Sequence, residues 1–314
     1  MTYAIQTESL SRSFGTVKAV DRLSLNVPTG SVFGFLGPNG SGKTTTIRLL
    51  LGLLDAEEGK ANVLGFDTKS QADEIRLRCG SLLEHHGLYE RLTAEDNLNF
   101  YGRIWHLQKS ELNERVKGLL ADMGLWDRRH EQVGKWSRGM KQKLAIARTL
   151  IHRPKLVFLD EPTAGLDPIA AATLHEDLSN LTRREGVTIF LTTHNLAEAE
   201  KLCQEVGVIR NGKLLAVGAL DRLREQAGGP RVKITGSNFS ETAISQIRKS
   251  EQVADIHPEN GKLVIRLKEA TEIAPFVSLL VQAGAQIEEV RKDNANLEET
   301  FMALVNGSEE KAHV

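Results

Sequence analysis

The sequence predicts an α/β fold built on a parallel sheet, followed by a smaller α+β domain. Three observations carry this. Short apolar runs, "SVFGFLG" (31–37), "KLVFLDEP" (155–162) and "VTIFLTTH" (187–194), have the composition of strands buried on both faces. The first of them runs through a glycine loop into "KTTTIRLLLGLL", a strand–loop–helix unit of parallel-sheet type. After the glycine-rich stretch "REQAGGPR" (224–231) the pattern changes to short alternating segments.

In chain order, residues 3–10 and 19–28 alternate as strands, residues 60–66 form another, and "CGSLLE" (79–84) a further one. From Thr93 to about Met123 the spacing is helical, with Thr93 as N-cap and Glu95 and Asp96 in the first turn. "KLAIARTLIH" (143–152) is a helix stopped by Pro154. "VGVIRNGKLLAVG" (206–218) is a hairpin turning at Asn211-Gly212. Residues 231–305 predict strand, helix, two strands, helix, strand and a last helix at "LEETFMALV" (297–305), a small sandwich. The expected boundaries are 1–228, 229–306 and a polar tail, 307–314.

Composition bounds the function. With 314 residues the chain has room for about two domains. A net charge of −1 gives no general attraction to nucleic acid or anionic lipid. Cys79 and Cys203 stand alone, so neither a zinc site nor a disulfide is expected, and both suit core positions in a reducing compartment. No secretory leader is visible. The longest apolar run, "IRLLLGLL", is far short of the ~20 residues that span a bilayer. Work at a membrane would therefore need another protein's helices.

Two motifs carry chemistry. "GPNGSGKTT" comprises Gly37, Pro38, Asn39, Gly40, Ser41, Gly42, Lys43, Thr44 and Thr45. Its spacing and its place between strand and helix make a phosphate loop. Glycines let backbone N–H groups form a nest for phosphate oxygens, and the helix start adds its positive end. Lys43 reaches the β- and γ-phosphates, and the Thr44 hydroxyl is offered to Mg²⁺. In "LVFLDEP", Asp160 ends the strand and can hold Mg²⁺, whereas Glu161, one residue on, is placed as general base on a water attacking the γ-phosphate.

At "WSRGMKQKLAIARTLIHRPKLVFLDEPTAGLDP" (136–168) the chain resembles the nucleotide-binding subunits of ATP-binding cassette (ABC) transporters, over residues 3 to about 225. The fold class implied is the P-loop cassette, a mixed sheet core with antiparallel β and α-helical subdomains. "SRGMK" resembles the family signature Leu-Ser-Gly-Gly-Gln in the form seen in drug- and sodium-extruder-like cassettes. Trp136, Arg138 and Met140 depart from it, while Ser137 and Gly139, the pair implied to contact a γ-phosphate, remain. Asp167 of "AGLD" matches a loop that crosses between two cassettes. His194 matches the switch histidine on the γ-phosphate, and Phe14 matches the aromatic that stacks on adenine.

The resemblance implies ATP and Mg²⁺ as cofactors, and a dimer of cassettes, identical or paired, with two ATPs between them. It also implies a transmembrane permease partner contacted through the 84–93 loop, at the cytoplasmic face of the membrane. The expected activity is ATP hydrolysis powering an exporter. The alternatives are a soluble ABC ATPase acting on ribosome or DNA, or a kinase or GTPase using the same loop; no nucleic-acid partner is expected. The segment after 231 resembles an accessory domain behind exporter cassettes, with a dimerising or regulatory role. Glu84 stands where the family has a glutamine that touches Mg²⁺ and the attacking water. A carboxylate can still ligate the ion through oxygen. His85 and His86 have no cluster beside them. Leu88, Tyr89 and Leu92 form either the patch on which the permease rests or local packing.

Overall fold

A computed structural model describes residues 2–223, 230–259, 262–269 and 271–294. The chain divides into two compact units, Met1–Val217 and Gly218–Val314. Most of the glycine-rich stretch, the helix expected at 297–305 and the tail 307–314 lie outside the described residues.

The first unit contains two sheets. Strands β1 (Tyr3–Phe14), β2 (Val17–Pro28), β4 (Glu58–Val63) and β5 (Phe66–Asp67) form an antiparallel sheet in the order β2-β1-β4-β5. The second sheet has the order β10-β9-β3-β8-β7-β6. It uses β3 (Val32–Leu36), β6 (Cys79–Leu82), β7 (Leu156–Asp160), β8 (Thr188–Thr193), β9 (Glu205–Arg210) and β10 (Lys213–Ala219). Its strands from β9 to β6 are parallel. Five-residue β3 and six-residue β8 are buried at every position, which is why they read as unbroken apolar runs.

The register of the parallel strands is marked by aromatic rings. Phe33 of β3 pairs with Phe190 of β8, which pairs with Phe158 of β7. Ring centroids are 5.6 Å apart for Phe33–Phe190 and 5.7 Å for Phe158–Phe190, and all three residues are fully buried. A slip of one residue would turn each ring to the opposite face of the sheet. The same register brings Leu36 beside Thr193, and Asp160 beside Thr192, at the C-terminal edge.

Two elements differ from the sequence reading. Residues 60–66 are not one strand: Leu64 and Gly65 both have positive φ (54° and 88°) and turn the chain from β4 into β5. A leucine gives no turn signal, because left-handed backbone is disfavoured for it. The helical stretch from Thr93 is two helices, α3 (Ala94–Ile104) and α4 (Lys109–Asp122). Between them His106 has φ 55°, and the N–H groups of His106 and Leu107 bond to the carbonyls of Arg103 and Gly102. That pattern closes a helix with a left-handed residue, usually glycine. Thr93 does cap α3, accepting from the Asp96 N–H at 3.1 Å. The next helix, α5 (Arg138–Thr149), begins earlier than its apolar run suggested.

The remaining helices of this unit are α1 (Lys43–Leu50), α2 (Ala72–Arg78), α6 (Pro168–Glu185) and α7 (Leu196–Leu202). In the second unit, β11 (Pro230–Ser237), β12 (Val253–Glu259), β13 (Lys262–Leu267) and β14 (Gln286–Asn294) form an antiparallel sheet of order β12-β13-β11-β14. Helices α8 (Glu241–Arg248) and α9 (Ala274–Gln282) bury Ile244, Ile247, Phe276 and Leu280 with the apolar side chains of those strands.

One buried side chain shapes the segment between β6 and α3. Asn97, fully buried, accepts from the Tyr89 N–H at 2.8 Å and donates to the carbonyls of Tyr89 (3.0 Å) and Thr93 (2.9 Å). Replacing it strands the Tyr89 backbone groups. Asn97→Ala is expected to lose about 1–3 kcal/mol of stability, read as a lower urea midpoint at unchanged slope.

Candidate functional site

The C-terminal edge of the parallel sheet opens into a cleft of about 490 Å³. Its wall includes Gly40, Gly42, Lys43, Thr44, Glu84, Asp160 and Glu161. The phosphate loop leaves β3 and enters α1. Gly42 has φ 109°, and a Cβ there would lie 2.1 Å from the Ala19 carbonyl oxygen, so only glycine fits. Helix α1 has neither a capping side chain nor an acidic residue in its first turn, so its N-terminal N–H groups and dipole are left for an anion. Ser41 Oγ is buried with no hydrogen-bond partner, an unsatisfied group that a phosphate oxygen would complete.

Lys43 is 5% exposed. Its ammonium donates to the carbonyls of Gly37 (2.8 Å) and Pro38 (3.1 Å), and lies 3.2 Å from Glu161 Oε1. Glu161 Oε2 lies 3.1 Å from His194 Nδ1. One carboxylate is thus bracketed by a lysine and a histidine from different segments. Glu161 itself has φ 49°, a left-handed conformation strained for a side-chain-bearing residue. The strain is held by its N–H, which donates to both the carbonyl and the hydroxyl of Thr192, each at 3.1 Å.

Asp160 lines the same cleft with a different set of partners. Its Oδ2 accepts from Thr44 Oγ1 at 2.6 Å, and its Oδ1 accepts from the Thr192 hydroxyl. A hydroxyl and a carboxylate in contact are hard oxygen donors of the type Mg²⁺ takes, alongside water and phosphate. Among the described residues no group of three or more His, Cys, Asp or Glu side chains could cage a metal alone. Thr44 and Asp160 therefore suit an ion that arrives with a nucleotide.

The other sequence-predicted residues are placed as follows. Ser137, exposed, caps α5, accepting from the Met140 N–H at 3.3 Å. Gly139 abuts the start of α6, where an added Cβ would lie 3.2 Å from that of Ala170. Asp167 caps α6 through the N–H groups of Ile169 and Ala170. Phe14, half exposed, lies under the Arg12 guanidinium at 5.2 Å; on that side the cleft wall is Val17 and Ala19. Glu84 stands in the cleft wall, yet its carboxylate pairs with Arg48 at 3.0 Å. Both partners are well exposed, so the pair contributes about 0–1 kcal/mol.

Several groups at the site were given no role from the sequence. Thr192 ties Asp160 to Glu161, and Arg138, Gln142 and His86 line the cleft. Arg138 stands in the sequence only as a departure from the signature. In the structure its guanidinium lies against Gly165, where a Cβ would come within 2.1 Å of Nη1. The loop after β6 is gripped from behind, with the Tyr101 hydroxyl donating to the Gly87 carbonyl and Arg148 over the Tyr101 ring. Of the apolar patch, Tyr89 is 48% exposed and packs edge-on to Phe100 at 4.8 Å, whereas Leu88 and Leu92 are half-buried. Away from the cleft both cysteines lie in the core, where burial pushes the Cys79 thiol up to about 12 and raises that of Cys203. His152, held down to about 4 by burial, stacks on Trp105 at 3.9 Å.

The family model for the ABC transporter matches residues 20–164. The bacitracin transport ATP-binding protein BcrA of Bacillus licheniformis is 36% identical over 98% of this chain and 99% of its own. The daunorubicin resistance ATP-binding protein DrrA2 of Streptomyces coeruleorubidus is 33% identical, covering 96% and 95%. A solved ATP-binding subunit of an ABC transporter superposes with a TM-score of 0.64 at 32% identity, covering 72% of this chain and 93% of that one. The reading as an ATPase of ribosome or DNA is not favoured by these relatives. With near full-length identity above 30%, this chain belongs to the ATP-binding subunits of ABC transporters, the ATPases that drive separate permeases.

Proposed function

We propose that this chain powers an exporter of antibiotic-like compounds by binding and hydrolysing ATP between two cassettes at the cytoplasmic face of a membrane. The observation that carries the reading is the bracketed carboxylate: Lys43 and His194 on the two oxygens of Glu161, above a glycine loop with an unsatisfied Ser41 hydroxyl. The relatives' names, bacitracin transport and daunorubicin resistance, support the substrate class.

The chemistry follows from the positions. The loop N–H groups and Lys43 hold the phosphates and neutralise their charge. Glu161 accepts a proton from the water that attacks the γ-phosphorus, and the His194 ring holds that water and the γ-phosphate. Asp160 and Thr44 would hold Mg²⁺, which when bound draws charge from the phosphate oxygens. With Glu84 paired to Arg48, its contact with the metal would require breaking that weak exposed pair.

Closure would bring Ser137 and Gly139 of one cassette over the phosphate loop of another. Ser137, exposed at the start of α5 beside half-buried Gly139, and Ile169, 80% exposed near Asp167, support an interface there. Among the described residues no helix is long and apolar enough to cross a membrane. The permease would dock through the 84–93 loop, on exposed Tyr89 and the Phe100 ring packed against it, so that closure moves it. The domain after 229 would act as a dimerising or regulatory module.

Two outcomes are expected. Lys43→Ala removes the central cation and should abolish ATP binding in calorimetry; retained affinity would count against the phosphate-loop assignment. Light scattering of the full chain with a non-hydrolysable ATP analogue and Mg²⁺ should show monomer mass rising to dimer mass. An unchanged monomer would contradict the closing sandwich.

A further inference from the structure

Glu198, on α7, is 1% exposed, and the chemistry above does not use it. Burying an ionised carboxylate is costly unless each oxygen is satisfied. Here each oxygen takes a hydroxyl: Oε1 accepts from Thr163 at 2.8 Å, and Oε2 from Thr193. His175 of α6 lies 3.4 Å from Oε1 as a third partner.

The positions of these partners matter more than their number. Thr163 follows Glu161 by two residues and roots the loop that carries Asp167, its carbonyl accepting from the Leu166 N–H at 3.0 Å. Thr193 immediately precedes His194, and its hydroxyl also accepts from the Asn195 N–H at 2.9 Å. One buried carboxylate therefore ties the segment leaving β7 to the last residue of β8, just past the point where these two strands stop pairing. Glu161 and His194, 3.1 Å apart, sit one near each end of that tie.

We propose that Glu198 is a positioning residue for ATP hydrolysis. It fixes Glu161 and His194 relative to one another, through Thr163 and Thr193, and it touches neither nucleotide nor water. This rests on the roles given above to Glu161 and His194. Among the described residues the Glu198 carboxylate bonds to Thr163, Thr193 and His175 and not to the phosphate loop. Thr193 meets that loop through its backbone carbonyl, which accepts from the Gly37 N–H at 3.3 Å, so losing the carboxylate should lower turnover and leave nucleotide affinity alone.

The test is steady-state hydrolysis by the full chain, with thermal stability and ATP affinity measured on the same samples. Glu198→Ala should lower kcat by about 10–100-fold, the scale of a roughly 1 Å misplacement, with KM for ATP and ATP affinity within about two-fold of wild type. Glu198→Gln keeps one acceptor and offers an amide donor to the other hydroxyl, so it should recover most of kcat. Thr163→Val and Thr193→Val each delete one hydroxyl and should lower kcat singly. Combined with Glu198→Ala they should add little, because they remove the same tie. They also serve if the alanine variant does not fold.

Wild-type kcat in Glu198→Ala, or in both valine variants, overturns the proposal. So does loss of kcat and affinity together with no rescue by glutamine, which is the mark of a merely structural carboxylate. Glu161→Gln is assayed alongside. Normal turnover there would remove the underlying role of Glu161 and this proposal with it. A dead Glu161→Gln beside a normal Glu198→Ala overturns the proposal alone.

Discussion

The register of three parallel strands governs the rest of this structure. Phe33, Phe190 and Phe158 stand in one row across β3, β8 and β7 and fill the same buried layer. Removing one such ring from a packed core costs about 3–5 kcal/mol, far more than an exposed ion pair such as Arg48–Glu84 returns. The row fixes which residues end each strand together. The phosphate loop leaves β3, Asp160 and Glu161 leave β7, and His194 leaves β8, all at one edge. Open parallel sheets bind ligands at the carboxyl ends of their strands for this reason.

Electrostatics at that edge is a closed chain of partners. Lys43 donates to two loop carbonyls and pairs with one oxygen of Glu161, whose second oxygen lies beside His194. Asp160 takes the hydroxyls of Thr44 and Thr192. Lys43, Glu161 and Asp160 are therefore each partnered before a nucleotide binds, which lowers the reorganisation needed to align them. A γ-phosphate would compete with Glu161 for Lys43. The carboxylate released from that pair is then free to accept a proton.

Much of this was legible in the sequence, and the part that was not has a physical explanation. The phosphate loop and the Asp160-Glu161 pair are contiguous, so local spacing and the flanking strands identify them. Thr193, Thr163 and Glu198 are ordinary residues whose meeting depends on strand register and on the α7 approach, which no local pattern encodes. The Glu84 carboxylate could be placed near the nucleotide by resemblance, but its pairing with Arg48 across 36 residues could not. Tyr89 kept its expected exposure, whereas Leu88 and Leu92 went half into local packing, a distinction set by Asn97 pinning the loop. The turn at Leu64-Gly65 was hidden because a leucine rarely adopts left-handed backbone, and the helix end at His106 because a histidine stands where glycine is the usual signal.

The central claim is that strand register delivers a general base, Glu161, to a phosphate held by the Lys43 loop. Its most direct measurement is single-turnover cleavage of pre-bound ATP by the full chain, comparing wild type with Glu161→Gln. The account predicts unchanged ATP affinity and cleavage slowed by about 10²–10⁴-fold, the usual weight of a positioned base. Cleavage at the wild-type rate by Glu161→Gln would contradict it.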